Sequence, residues 1–124
     1  TGEVALCITV SGPGMLHALP GSNSCHRGNN NTGLLNATSN CWPMLLLSSV
    51  ADDHQQEISG DFTADKNLTF KEAPQLEAAK IYAKYAVKVD SFIHFEDEFQ
   101  TCLKQATYGR PGGVYIELSV FLFQ

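Results

Sequence analysis

The segment "VALCITVSGPGMLHAL", residues 4–19, determines how the chain begins to fold. Its first seven residues are a continuous apolar run, which is typical of a strand buried on both faces in a parallel sheet. The turn "SGPG" ends this run, and "MLHAL" begins a helix after it. Because glycine lets a ligand approach the backbone closely, such a turn at a strand end is also a place where α/β sheets bind ligands.

Apolar and helical patterns alternate along the rest of the chain. Short apolar runs predict further strands over residues 43–50, 86–89 and 114–118. Helices are predicted over residues 33–42, 72–86 and 92–107, the last with an apolar stripe of Phe92, Phe95, Phe99, Leu103 and Ala106. The alternation predicts a parallel sheet flanked by helices, joined by right-handed crossovers, in one α/β domain over residues 1–124.

The composition excludes several classes of function. Apolar residues make up 44% of the 124 residues and charged residues 17%, which is a globular balance. A net charge of -5 argues against nucleic-acid binding, which needs clustered Lys and Arg. No apolar run approaches the roughly 20 residues of a membrane span. The four cysteines form no C-x-x-C pair, so free thiols are expected.

The residues alone leave the chemistry of the opening turn undecided. The turn lacks the G-x-G-x-x-G and G-K-[ST] patterns of phosphate-binding loops, so it is either a ligand contact or only a tight turn. His17 has a titration range that suits catalysis, but a single His is more often a hydrogen-bonded structural residue. Neither His26 nor His54 has an orienting partner that the sequence reveals, and His94 is expected to be solvated at the start of the last helix.

Four ordered motifs carry a more specific signal. They are "LCITVSGPGMLHAL" (6–19), "NCWPMLLLSS" (40–49), "FKEAPQLEAAKIYAKYA" (70–86) and "YGRPGGVYIEL" (108–118). Together they resemble the N-terminal, pyrimidine-binding domain of thiamine diphosphate-dependent enzymes. The branch that they resemble most is 2-hydroxyacyl-CoA lyase, with oxalyl-CoA decarboxylase close to it.

This resemblance implies a function and a set of partners. The family's lyases cleave the carbon–carbon bond of a 2-hydroxyacyl-CoA substrate to formyl-CoA and a shortened aldehyde, with thiamine diphosphate as electron sink. The resemblance also implies Mg²⁺ held by another domain, a homodimer or homotetramer with the active site between subunits, and a peroxisomal or otherwise cytoplasmic location. The alternatives are an oxalyl-CoA decarboxylase and a non-catalytic paralogue that only dimerises.

The resemblance also assigns residues by position. It places Pro13, Gly14 and His17 at the cofactor, Phe70 and Lys71 in the substrate pocket, and Cys41, Trp42 and Pro43 at the subunit interface. Lys71 stands where the family carries Gln or Glu. The family's activating glutamate precedes the first motif, so this chain is expected to lack it, to be incomplete at the N-terminus of the domain and to be inactive alone. Residues 20–32 are expected to be an insertion.

Overall fold

The computed structural model describes residues 3–12, 14–15, 33–50 and 75–119. Within them, strands and helices alternate in the order β1 (Ala5–Thr9), α1 (Leu34–Ser39), β2 (Met44–Val50), α2 (Gln75–Tyr82), β3 (Tyr85–Val89), α3 (Phe92–Thr107) and β4 (Gly113–Ser119). The strands form one parallel sheet in the order β1-β2-β4-β3. The predicted α/β fold is therefore confirmed, and each strand predicted after β1 begins within one residue of its expected position.

Helices pack on both faces of the sheet. Successive strand residues point to opposite faces, so Leu46 and Tyr115 meet α1 and α2, while Leu45 and Ile116 meet α3. All four side chains are almost completely buried. The α1/α2 face also buries Met15, which follows the turn after β1. The two central strands, β2 and β4, are thus the middle layer of a three-layer core.

The prediction that the first strand is buried on both faces is wrong for the described structure. β1 is an edge strand that pairs only with β2 in the described sheet. Leu6, Ile8 and Val10 are 56%, 69% and 72% exposed. They point to the α3 side of the sheet, as do Leu45 and Leu47, the strand partners of Leu6 and Ile8. Helix α3 packs on the other three strands and does not cover this edge among the described residues.

Helix α1 is shorter than the sequence predicts. The pattern predicts a helix over residues 33–42, but it ends at Ser39. Cys41 has a φ of 59°, a left-handed conformation that an α-helix cannot contain. The chain turns there and enters β2 three residues after Cys41.

Helix α2 also ends before its predicted limit. The pattern predicts a helix over residues 72–86, of which 72–74 lie outside the described residues, and α2 ends at Tyr82. The backbone N–H of Lys84 donates to the carbonyl of Gly113 at 2.8 Å, and Tyr85 then begins β3. Pairing with β4 therefore overrides the helical preference of an Ala- and Lys-rich segment.

Helix α3 has the predicted bounds, and its buried stripe differs from the predicted one mainly at Phe92 and Cys102. Cys102 and Ala106 are fully buried against the sheet, whereas Phe92 is 66% exposed. Phe95 and Phe99 pack at the margin of this cluster, with their ring centroids 5.7 Å apart. The contact line of α3 thus runs through its small residues, which allow the helix to approach the sheet closely.

Candidate functional site

The turn after β1 lies at the carboxyl end of the sheet. Gly12 has a φ of 63°, which side chains rarely adopt. A Cβ added to Gly14 would lie 2.6 Å from Cγ2 of Val10, so a side chain there would require the exposed side chain of Val10 to move. The positive φ makes glycine the favoured residue at position 12. The turn lies at the edge where parallel sheets bind ligands.

A buried glutamine holds this turn. Gln75, the first residue of α2, is 2% exposed. Its Oε1 accepts a hydrogen bond from the backbone N–H of Gly12 at 3.2 Å and lies 3.3 Å from the hydroxyl of Ser48. Its Nε2 donates to the carbonyl of Ser49 at 3.3 Å. One side chain therefore joins the turn after β1, the end of β2 and the start of α2.

Polar side chains form a row across the sheet beneath this glutamine. The strand register aligns Thr9 with Ser48, Ser48 with Glu117, and Glu117 with Lys88. Aligned residues of neighbouring strands share a face, so the row lies on the α1/α2 face. Glu117 is 5% exposed and accepts a hydrogen bond from the hydroxyl of Tyr115 at 3.0 Å. The face is therefore polar at its carboxyl end and apolar nearer its amino end.

One member of the row has an unsatisfied polar atom. Among the described residues, Oγ1 of Thr9 is buried and has no hydrogen-bond partner. Buried hydroxyl groups are nearly always hydrogen-bonded in folded proteins. Thr9 is the last residue of β1 and lies three positions before Gly12, so this unsatisfied atom belongs to the same end of the sheet as the glycine turn.

The structure locates only some of the residues that the resemblance assigns to the cofactor and substrate. Gly14 lies in the turn described above. The other two residues assigned to the cofactor, Pro13 and His17, fall outside the described residues. Phe70 and Lys71, assigned to the substrate pocket, also fall outside them. Their roles stay predictions.

The three residues assigned to the subunit interface lie at the opposite end of the sheet from Gly14. They immediately precede β2, and the carbonyl of Pro43 accepts a hydrogen bond from the N–H of Ala5 at the start of β1. Trp42 is 49% exposed. The thiol sulfur of Cys41 accepts a hydrogen bond from Nε of Arg110 at 2.9 Å. The interface and cofactor assignments therefore describe two separate surfaces.

Gln75, Ser48 and Glu117 are members of the polar end that the sequence did not reveal. Ser48 ends an apolar run and Glu117 interrupts one, so both are weak signals of a polar site within a buried strand. Gln75 lies in a helical segment where a polar residue is ordinarily solvated. Its role depends on a partner 63 residues earlier in the chain, and no local pattern records such a contact.

Among the described residues, two titratable groups have perturbed pKa values, and both lie on the other face of the sheet. Burial, and secondarily the charge of Glu98, raises the pKa of the Cys102 thiol to about 12. Burial also raises the pKa of Tyr85, with further contributions from Glu98 and Cys102. Both shifts favour the neutral form of the group. The pair Tyr85 and Cys102 thus belongs to the packing of α3 rather than to the glycine turn.

The described residues contain no group of three or more His, Cys, Asp or Glu side chains arranged to hold a metal ion. In the same ranges, no helix has both the length and the apolar character that a membrane crossing requires.

The carboxyl end of the sheet fits the aromatic ring of a cofactor. Gly14, which has no side chain, is partly exposed at this end and permits a close approach to its backbone. The buried Oγ1 of Thr9, which has no partner among the described residues, is a spare hydrogen-bonding group at the same end. Of the residues assigned to thiamine diphosphate, Gly14 is the one that the structure describes at this position.

Comparison with known proteins confirms the resemblance. The chain matches no protein-family model. It is 36% identical over 124 residues, 100% of the chain, to 2-hydroxyacyl-CoA lyase 1 of Dictyostelium discoideum, and 29% identical over 118 residues, 95% of the chain, to 2-hydroxyacyl-CoA lyase 1 of Homo sapiens. It is also 34% identical over 122 residues, 95% of the chain, to the oxalyl-CoA decarboxylase of Escherichia coli strain K12. The chain spans only 17% to 18% of the length of these relatives.

Proposed function

We propose that this chain, which resembles a segment of the 2-hydroxyacyl-CoA lyases and oxalyl-CoA decarboxylases, is the pyrimidine-binding part of a thiamine diphosphate-dependent carbon–carbon lyase. The reaction converts a 2-hydroxyacyl-CoA to formyl-CoA and an aldehyde that is one carbon shorter. The observation that carries the proposal is the sequence match, which covers at least 95% of the chain in lyases from animals, an amoeba and plants. The glycine turn at the carboxyl end of the sheet supports it.

The chain contributes binding and orientation in this proposal. The backbone of Gly14, with Pro13, contacts the aminopyrimidine ring, and His17 is the polar side chain near it. Thiamine diphosphate, when bound, supplies an electron sink for cleavage of the carbon–carbon bond. The activating glutamate and the groups that hold the diphosphate and Mg²⁺ come from other parts of the enzyme. The chain therefore positions the ring and excludes water from it.

The proposed assembly follows from the same premise. A homodimer or homotetramer places a second subunit against the carboxyl end of the sheet, while Cys41, Trp42 and Pro43 contribute to an interface near its amino end. The exposure of Trp42 is compatible with such an interface, because a half-exposed tryptophan is common where proteins associate. A peroxisomal location is part of the proposal.

A second candidate function is decarboxylation of oxalyl-CoA, which the 34% identity to the Escherichia coli enzyme favours. The residue pair at positions 70 and 71, assigned to the substrate pocket, distinguishes the lyase from the decarboxylase. The lyase branch carries Phe followed by Gln there, and the decarboxylase branch carries Tyr followed by Glu. Phe70 agrees with the lyase, whereas Lys71 agrees with neither.

The test is a product assay on the full-length protein that contains this chain. The protein is supplied with a 2-hydroxyacyl-CoA or with oxalyl-CoA, with and without thiamine diphosphate and Mg²⁺. We expect formyl-CoA and the shortened aldehyde from the first substrate, only when the cofactor is present. If oxalyl-CoA is converted to formyl-CoA and carbon dioxide and the 2-hydroxyacyl-CoA does not react, the protein is the decarboxylase instead. If neither substrate gives a product, the hypothesis of a non-catalytic paralogue is the one that the assay supports.

The isolated chain provides a second test. We expect calorimetry to detect no binding of thiamine diphosphate by residues 1–124, because the proposal assigns most contacts of the cofactor to other parts of the enzyme. Tight binding by the isolated chain would contradict that division of contacts.

A further inference from the structure

Among the described residues, the side chain of Gln75 forms its hydrogen bonds at the carboxyl end of the sheet. Its Oε1 meets the N–H of Gly12 and the hydroxyl of Ser48, and its Nε2 meets the carbonyl of Ser49. These partners belong to the ends of two neighbouring strands. The side chain is 2% exposed, so water cannot replace the bonds. A buried amide with these partners acts as a bridge between two segments.

The chemistry of the contacts requires an amide. The oxygen accepts and the nitrogen donates, and only Asn and Gln offer both groups without charge. Glutamate in this place would keep the acceptor but lose the donor to Ser49 and add a buried charge. Methionine would have a similar length but could not replace the bonds, leaving the N–H of Gly12 without its partner.

The turn that Gln75 holds has little freedom to adjust. The backbone of Gly12 has a positive φ, and a methyl group added at Gly14 would press against the side chain of Val10. The hydrogen bond from the N–H of Gly12 to Gln75 therefore fixes the position of the turn relative to the ends of β1 and β2. Gln75 also begins the helix that follows the segment containing Phe70 and Lys71 in sequence.

We propose that Gln75 is a positioning residue, which holds the backbone of the Ser11–Gly14 turn at the height that the aminopyrimidine ring requires. This inference rests on the proposed function, since it concerns how the same turn meets thiamine diphosphate. Gln75 does not contact the ring. It acts through the N–H of Gly12, and the hydroxyl of Ser48 keeps its oxygen oriented.

The experiment compares three variants in the full-length protein. Gln75→Met removes all three bonds at similar side-chain length. Gln75→Glu restores the acceptor for Gly12 while losing the donor to Ser49. Gln100→Met makes the same chemical change at an exposed position of α3 and is the matched control. Each protein is measured for its dissociation constant for thiamine diphosphate, its kcat at saturating cofactor, and hydrogen exchange of the peptide that contains Gly12.

We expect a selective effect of Gln75→Met. Loss of one buried hydrogen bond corresponds to about a tenfold change, so exchange at Gly12 should quicken about tenfold and the dissociation constant should rise about tenfold. The value of kcat at saturating cofactor should change less than the dissociation constant, because no reacting group is lost. Gln75→Glu should recover part of the protection at Gly12, and Gln100→Met should match the wild type.

Two results would overturn the inference while leaving the proposed function intact. In the first, the wild type and Gln75→Met bind thiamine diphosphate equally well. In the second, Gln75→Met quickens exchange equally in every peptide, which indicates a general loss of stability. A wild-type protein that does not bind thiamine diphosphate would instead refute the proposed function, and the exchange at Gly12 would still report whether Gln75 holds the turn.

Discussion

Replacing Gly113 with alanine is expected to destabilise the chain, because helix α1 lies directly on the first residue of β4. A Cβ at Gly113 would lie 2.6 Å from Cδ1 of Leu34, 3.0 Å from the carbonyl oxygen of Leu34 and 3.2 Å from Oγ1 of Thr38. Leu34 is fully buried, and its carbonyl belongs to the helix backbone. Neither can move aside without displacing α1 from the sheet.

The magnitude follows from two opposing terms. Overpacking of this kind costs about 1–3 kcal/mol. Alanine also restricts the unfolded chain, which stabilises the fold by about 0.4–1 kcal/mol. The net expectation is a loss of about 0–2.6 kcal/mol in the free energy of unfolding, with a midpoint of about 1.3 kcal/mol. The neighbouring Gly112 is the control, because a Cβ there would meet Lys84 Cβ at 3.4 Å, an ordinary van der Waals distance.

The assay is urea unfolding of the chain followed by fluorescence. Trp42 is the single tryptophan of the sequence, and its backbone N–H donates to the carbonyl of Ala37 in α1 at 2.8 Å, so its fluorescence reports on this junction. With a slope of about 1–2 kcal/mol per molar urea, Gly113→Ala should lower the midpoint by roughly 1 M, and Gly112→Ala should change it little. Equal midpoints for the two variants would refute the close approach of α1 to β4.

Three further predictions concern other parts of the chain. The pKa of the Cys102 thiol rises from 9.0 to about 12 in the fold, so between these pH values the folded chain holds a proton that the unfolded chain releases. Thermal unfolding should therefore show the stability falling as pH rises from about 9 towards 12. The fall should be less steep in Cys102→Ala, which lacks the thiol. Lys84→Met should cost about 1 kcal/mol in urea unfolding, since Nζ donates to two carbonyls at the end of α3, while Lys80→Met should cost less. Ile8→Lys should reduce self-association in analytical ultracentrifugation without lowering the unfolding midpoint, because Ile8 is 69% exposed on an edge strand; an unchanged sedimentation coefficient at high concentration would contradict this.

The corrections to the fold share one cause. An apolar run such as residues 4–10 shows that a strand prefers burial, but it does not show what covers the strand. The helical composition of residues 83–86 is a weak preference, and hydrogen bonds to β4 at Lys84 and Tyr85 overcome it. In α3, Phe92 fits the apolar period, yet the helix meets the sheet through Cys102 and Ala106. Local patterns report preferences, and the partners decide which preferences are met.

The candidate site was partly predictable for a related reason. The turn containing Gly12 and Gly14 was evident from the sequence, because a positive φ and a close approach each favour glycine and so leave a local mark. The bridge from Gln75 was not evident, because any polar residue is acceptable at the start of a helix. The row through Ser48 and Glu117 depends on strand register, which residue types do not specify.

The sequence by itself determined the alternation of strands and helices, the position of the glycine turn and the similarity to 2-hydroxyacyl-CoA lyases and oxalyl-CoA decarboxylases. These are local or ordered features, fixed by periodicity, backbone sterics and the succession of motifs. Only the tertiary structure decided that the strand order is β1-β2-β4-β3 and that β1 is at the edge. It alone placed Gln75 against Gly12 and Ser48, because such contacts form between segments that are distant in the chain and meet only when the sheet assembles.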